Sequence, residues 1–282
     1  MLITTETQRL IDLALDEDQV YNDLTTDSLI DPKVVGTARF ISKQAGVLSG
    51  IYVASEVFRR IDHSIKLEIH IDDGNEVQPG SILAEVFGKA GTILRGERTA
   101  LNFLQHMSGI STETSKYVNA IKDYKALVLD TRKTIPGFRM LDKYAVKMGG
   151  GENHRLNLAD GILIKDNHIA ILKDSNMNLS DIVNISRQNT ITPNKTEIEV
   201  TNLSQLEDAL LGNPDIILLD NMSIEDMRKS VKRVNGKLLL EASGNVTLEN
   251  IASIAETGVD LISVGALTHS SKALDISLET EF

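Results

Sequence analysis

Six short apolar runs, at 126–130, 161–165, 196–200, 215–220, 237–242 and 260–264, each end in a charged, small or polar residue. Between the last four, apolar positions follow a helical period at 203–211, 223–233 and 247–257. This alternation predicts parallel strands joined by crossover helices, because a strand can rejoin its sheet in parallel only by a long return. It occupies about 150 residues, short of the ~250 of a complete eight-unit barrel. The expectation is an open or partial barrel, or a doubly wound sheet.

The preceding half reads differently. Leu10, Ile11, Leu13 and Leu15 suggest a helix over 4–15; strands are expected at 36–41, 65–71 and 82–87, with a turn at Asp73-Gly74 and a helix over 50–61. From Arg95 to about Lys122, Leu101, Phe103, Leu104, Met107, Ile110, Tyr117, Val118 and Ile121 recur at helical spacing, and Gly109 is a candidate bend. No Pro/Gly/Ser-rich linker separates the halves, so two closely packed domains are expected.

Composition excludes several function classes. The chain of 282 residues has no cysteine, hence no disulfide framework, thiolate metal site or cysteine nucleophile, which suits a reducing cytoplasm. Net charge −11 argues against generic nucleic-acid binding. MLITTETQRLIDLALDEDQ does not read as a signal peptide, and no apolar run or basic amphipathic helix suggests a membrane role.

Against this acidic background, residues 130–168 form a cationic island. Arg132, Lys133, Arg139, Lys143, Lys147, Arg155 and Lys165 face five carboxylates (Asp130, Asp142, Glu152, Asp160, Asp166), with His154 and His168 among them. Pro136, Gly137 and Gly149 to Gly151 interrupt it, so it is not one solvated helix face. A compact island in an anionic chain predicts a small, highly negative ligand. The strand ends supply matching chemistry. Arg132, Lys133, Arg155 and Lys165 can bind phosphate or carboxylate oxygens. Glu199 and Asp220 can bind sugar hydroxyls, ligate a hard cation such as Mg²⁺, or stabilise positive charge at a reacting carbon. Ser243-Gly244-Asn245 and Val264-Gly265-Ala266 are small enough for backbone N–H groups to approach a phosphate, with helices following each. An anionic sugar phosphate with a carboxylate-bearing partner is the ligand pair these residues suggest.

The runs TRKTIPGFRMLDKYAVKMGGGENHR and LIKDNH, with NDLTTD at 22–27, GERTALNFLQHMSGIST at 96–112, EIEV at 197–200, LLDNM at 218–222, EASGNV at 241–246 and SVGALTHS at 263–270, resemble the quinolinate phosphoribosyltransferases (nicotinate-nucleotide pyrophosphorylases, carboxylating) through most of the chain. The resemblance implies an α/β fold. An N-terminal α/β sandwich would span 1–115, with the C-terminal tail 270–282 packed on it, and an incomplete, open α/β barrel 116–269. It implies transfer of the phosphoribosyl group of 5-phosphoribosyl-1-diphosphate to quinolinate, giving nicotinate mononucleotide, diphosphate and CO₂ in de novo NAD synthesis, with Mg²⁺. It also implies a cytoplasmic homodimer in which Arg98 reaches the neighbouring subunit's site. Lys133, His154, Lys165, Glu199 and Asp220 are then the catalytic candidates. Arg98, Thr131, Arg132, Lys133, Arg155, Lys165, Glu199, Asp220, Ser243, Gly244, Asn245, Val264, Gly265 and Ala266 bind substrates, and Glu199 and Asp220 hold the metal directly or through substrate or water.

Three rival readings stand beside this one. A transferase of the same fold can act on another pyridine or aromatic acid. Lys165 or Lys133 can serve as a Schiff-base nucleophile at a strand end. The segment 71–91 has the look of a biotinyl or lipoyl carrier, although its Asp73-Gly74 turn lacks the lysine. For Lys143 and Lys147, four apart in a helix after Pro136, a solvated face is expected; Tyr144 and Val146 read as core. Arg98, taken alone, reads as a surface helix residue, and His168 and His269 carry little.

Overall fold

The computed structural model describes residues 3–172, 177–190 and 195–281. It comprises two compact units, Met1–Ser115 with Thr134–Gly151 and Leu267–Phe282, and Lys116–Lys133 with Glu152–Ala266. The chain begins with α1 (Thr5–Glu17), α2 (Leu24–Leu29), β1 (Val35–Ser42), β2 (Gly46–Val47), α3 (Ile51–Ile61), β3 (Lys66–Ile69), β4 (Glu76–Val77), β5 (Ile82–Lys89) and α4 (Ala90–Ala120). It continues with β6 (Leu127–Leu129), α5 (Arg139–Met148), β7 (Ile162–Ile164), α6 (Asp166–Leu172), α7 (Leu179–Gln188), β8 (Thr196–Val200) and α8 (Leu203–Leu211). The last elements are β9 (Ile216–Asp220), α9 (Ile224–Val234), β10 (Leu239–Ser243), α10 (Ile251–Ala255), β11 (Leu261–Ser263), α11 (Ala266–His269) and β12 (Ile276–Glu281).

The first unit is built on an antiparallel sheet of order β12-β1-β5-β3, with β2 and β4 paired separately. Ala38, Phe40 and Ser42 are buried at every second position of β1, the alternation of a strand with one face on a core. Ile51, Ala54, Val57 and Phe58 form the buried stripe of α3, and the Phe58 ring stands edge-on to Phe40 with centroids 6.2 Å apart. Gly50, at φ +99°, has no side chain to cap this helix. The cap comes from the Asp73–Gly74 turn, where Asp73 Oδ1 accepts the Ile51 N–H at 3.0 Å. Tyr144 donates its hydroxyl to the other Asp73 oxygen at 2.9 Å, so this residue is a half-buried polar anchor rather than plain core.

The chain end completes the sheet. β12 pairs with β1 from Thr37↔Glu281 to Ser42↔Ile276. On the way, Leu274 donates its N–H to the Gln105 carbonyl at 3.0 Å, and Gln105 Nε2 donates to the Ile276 carbonyl at 2.7 Å. The sequence suggested a bend at Gly109, but α4 runs unbroken past it. A Cβ there would lie 2.2 Å from the Lys272 carbonyl oxygen, so the glycine admits a backbone crossing instead. A second correction concerns α5. Lys147 is exposed, but Lys143 is only 2% exposed and shares the buried face of Leu141, Asp142, Ala145 and Val146.

The second unit carries a wholly parallel sheet of order β6-β11-β10-β9-β8-β7. From β7 to β11 each strand pairs with the next in sequence, and β6 returns beside β11. That is the order of a singly wound barrel cut between β6 and β7; a doubly wound sheet would reverse direction partway. The open edge of β6 is partly covered by Glu152, which donates to the Val128 carbonyl at 2.8 Å and accepts the Asp130 N–H at 3.1 Å. Ile198, Val200, Ile217, Leu219, Leu240, Ala242 and Ile262 are buried on the opposite strand face from Glu197, Glu199 and Glu241 and build the apolar core. The helix expected over 247–257 is shorter than its pattern. Asn250 Oδ1 accepts the Thr247 N–H at 2.8 Å and its amide donates to the Asn245 carbonyl at 2.9 Å, so a side-chain-bonded turn replaces the first helical turn.

Candidate active site

The second unit gathers polar side chains in two layers at the carboxyl ends of its strands. The upper layer begins after β6. Thr131 Oγ1 accepts the Lys133 N–H at 3.0 Å, a local turn that ends the strand. Arg132 is half-buried, its Nε shielded from solvent without a hydrogen-bond partner; Lys133 is exposed. The Arg155 guanidinium is held below its usual pKa, first by burial and second by the positive charge of Arg132. Glu197 and Asp160 oppose the shift. Two cations sharing a partly desolvated corner is an arrangement that an anion would relieve.

On the next strands, Lys165 Nζ lies 3.8 Å from Glu199 Oε2. Burial raises the Glu199 carboxyl above its ordinary value, Lys165 pulls it back, and Asp220 adds a like charge. The main chain at Lys165 is fixed by His168, whose Nδ1 accepts the Lys165 N–H at 2.9 Å; His168 is a local cap. Asp220 ends β9, and its Oδ2 accepts a hydrogen bond from Asn221 Nδ2 at 3.0 Å. Asn221 then accepts from Asn245 Nδ2 at 3.0 Å, joining the β9 and β10 ends. Gly244, at φ +94°, lies so close over this amide that a Cβ would meet Asn221 Oδ1 at 2.3 Å. Ser243 to Asn245 therefore form a tight turn with little side-chain bulk beside the acidic pair.

Arg98 is exposed on α4 in the first unit. The Val264 N–H is committed to the Leu129 carbonyl at 2.9 Å, so it does not face a ligand. A helix was expected behind each turn. The structure has one short turn of helix, α11, after Gly265, and α10 begins six residues beyond Asn245.

Beneath the rim lies a second layer, which the sequence marked at His154 and at Glu241 of the 241–246 run but not at Glu197. Glu197 and Glu241, 5% and 0% exposed, come from β8 and β10. His154 Nε2 stands 3.1 Å from Glu197 Oε2 and 3.7 Å from Glu241 Oε2, and the Ser263 hydroxyl donates to Glu241 Oε1. Burial first, and the neighbouring Glu197 second, hold the Glu241 carboxyl well above the carboxylate range, against His154 and Ser263. A protonated Glu241 is the state this crowding favours. A signal for Glu197 was present: in EIEV it lies two residues from Glu199, hence on the same strand face. Glu241 and Ser243 stand in the same relation.

Two sets of residues are candidates for a metal. Ligand atoms of His154, Glu197 and Glu241 lie within 4.8 Å of one another. However, His154 Nδ1 accepts the Arg155 N–H at 2.7 Å, which assigns the ring proton to Nε2 and leaves no lone pair facing the carboxylates. Glu199 and Asp220 fit a hard cation better. Both are carboxylates at the rim, and Glu199 Oε2 is buried without a hydrogen-bond partner.

Comparison with known proteins agrees with this geometry. The pattern of the quinolinate phosphoribosyl transferase N-terminal domain matches residues 23–108, and that of its C-terminal domain residues 110–279. The probable nicotinate-nucleotide pyrophosphorylase (carboxylating) of Synechocystis sp. is 41% identical over 247 residues, 86% of this chain and 82% of that protein. The structure of the nicotinate-nucleotide pyrophosphorylase from Francisella tularensis matches with a TM-score of 0.91 at 40% identity, covering 98% of this chain and 96% of that one. That from Ehrlichia chaffeensis gives 0.91 at 41% identity over 100% of both chains. The sandwich and incomplete barrel read from the sequence are those of these proteins, and the chain belongs to the quinolinate phosphoribosyltransferase family.

Proposed function

We propose that this protein transfers the phosphoribosyl group of 5-phosphoribosyl-1-diphosphate to the ring nitrogen of quinolinate and releases diphosphate and CO₂, leaving nicotinate mononucleotide for NAD synthesis. The observation that carries the reading is the half-buried pairing of Arg132 with Arg155 in a chain of net charge −11. A planar ring with two adjacent carboxylates supplies two fixed anions for two guanidinium forks, with charge-assisted bonds of ~1.5–3 kcal/mol each. A mono-acid such as nicotinate would leave one fork unmatched.

The other rim residues fit the donor. Glu199 and Asp220 face the positive charge that develops on the ribose as diphosphate departs. They are also the residues to hold Mg²⁺, which would neutralise the diphosphate. Thr131, Lys133 and Lys165 serve the anionic groups of the reactants, and the small turns at Ser243–Asn245 and Gly265–Ala266 accept the 5′-phosphate. Loss of CO₂ leaves an electron pair that the quaternised ring nitrogen can accept, so the protein's work is positioning and charge placement. We place the protein in the cytoplasm as a homodimer in which Arg98 completes the neighbouring subunit's site. Release of labelled CO₂ from carboxyl-labelled quinolinate, dependent on both 5-phosphoribosyl-1-diphosphate and Mg²⁺, tests the reading. Equal or faster turnover of nicotinate would overturn it.

A further inference from the structure

The floor of the barrel holds two carboxylates, Glu197 and Glu241, that no step above uses, although burying them is costly. Their partner, His154, sits where regular structure is lacking: from Gly151 to Gly161 the chain forms no helix and only one bridge, at Glu152. Arg155 lies within this segment, so something other than secondary structure must place its guanidinium. The guanidinium itself makes one long contact, Nη1 donating to the Gly161 carbonyl at 3.5 Å, and the contacts of its neighbour fix the main chain from which it extends. The His154 N–H donates to Asp130 Oδ1 at 2.9 Å, its Nδ1 accepts the Arg155 N–H at 2.7 Å, and its Nε2 reaches Glu197 Oε2 at 3.1 Å. Glu241 lies 3.7 Å from the same nitrogen and is itself held by Ser263. Both ring nitrogens are thus used inside the protein. The imidazole is a strut between the barrel floor and the Arg155 main chain.

We propose that Glu197, backed by Glu241, is a positioning residue that acts through His154 to set the Arg155 guanidinium for the acceptor. The inference rests on the assignment of Arg155 to quinolinate. Each carboxylate comes from a rigid strand, and one hydrogen bond carries that rigidity into an irregular loop. Without it, Arg155 keeps its charge but loses its fixed place. The loss falls on acceptor binding, which Arg155 makes in the ground state, more than on turnover.

The test is a mutant cycle on the full chain, with steady-state KM for quinolinate and kcat read separately. Glu197→Ala should raise the quinolinate KM tenfold or more, lower kcat less than threefold, and leave the KM for 5-phosphoribosyl-1-diphosphate within twofold. Glu197→Gln, which keeps an oxygen for the His154 Nε2–H, should return the quinolinate KM to within threefold of the parent. His154→Ala should match Glu197→Ala, and the double variant should be no worse than His154→Ala alone. Multiplying effects in the double variant, or a Gln variant as impaired as Ala, would overturn the proposal. A merely structural role would lower the active fraction and apparent kcat with KM unchanged, which also overturns it. If Glu197→Ala does not fold, Glu197→Leu, which fills the volume, replaces it in the cycle. Arg155→Ala separates the two levels. An unchanged quinolinate KM in that variant sinks the acceptor assignment and the proposal with it. A raised KM there beside an unchanged one in Glu197→Ala sinks the positioning role alone.

Discussion

The rim and the floor of the barrel are built from the same kinds of residue and solve opposite electrostatic problems. At the floor, His154, Glu197, Glu241 and Ser263 face one another, and burial drives Glu241 toward its neutral form. At the rim, Arg132 and Arg155 crowd together, and burial with mutual repulsion destabilises the charge on Arg155. The floor resolves its conflict within the protein, by contacts among its own groups and a neutral Glu241; the rim keeps its conflict for a ligand to resolve. Charge that a fold leaves unbalanced at a strand end marks a binding site, whereas charge balanced within the core marks a scaffold.

The largest break of this contrast is expected from Arg132→Ala. Removing one fork should lower kcat/KM for quinolinate by two orders of magnitude or more, on the scale of ~3 kcal/mol for a lost charge-assisted pair, with the melting temperature nearly unchanged. Retained activity would remove Arg132 from the acceptor clamp. Next comes subunit sharing: mixed Arg98→Ala and Lys165→Ala proteins, each inactive alone, should regain part of the activity when their chains exchange. Proven hybrids that stay inactive would confine each site to one subunit.

The floor answers to pH. Glu241 is raised in the folded protein, so between its ordinary carboxylate pKa and its folded value the native state holds more protons than the unfolded chain. Stability from this group is therefore greatest at low pH and declines as pH rises through that window. Glu241→Gln should flatten the decline and raise the melting temperature relative to the parent at the alkaline end, with little difference at pH 5; parallel curves would show that Glu241 is not neutral in the fold. A smaller effect is expected from Ser263→Ala, which removes one hydroxyl donor and should cost about 1 kcal/mol. Urea unfolding should record it, with the quinolinate KM within twofold of the parent.

The positions of β8 and α8 were legible because their patterns are long and locally capped: 196–200 and 203–211 were expected and observed. Glu199, Asp220 and the cationic island were legible as residue types at strand ends. Gly109 was misread, because a glycine within a helical period signals a bend as readily as a backbone crossing, and the crossing segment lies over 160 residues away at Lys272. Lys143 was misread because charge alone says solvent, while burial depends on which neighbours cover it.

Residue order by itself determined the alternation of strands and helices, the acidity of the chain and the set of cations available to a ligand, since these depend on period and composition. Only the tertiary structure decided that Glu197, Glu241 and His154 meet beneath the rim, and that Arg132 and Arg155 repel one another across it. Those pairings join residues 23 to 87 positions apart in the chain. Their energies arise from burial and distance, neither of which exists until the sheet has closed around them.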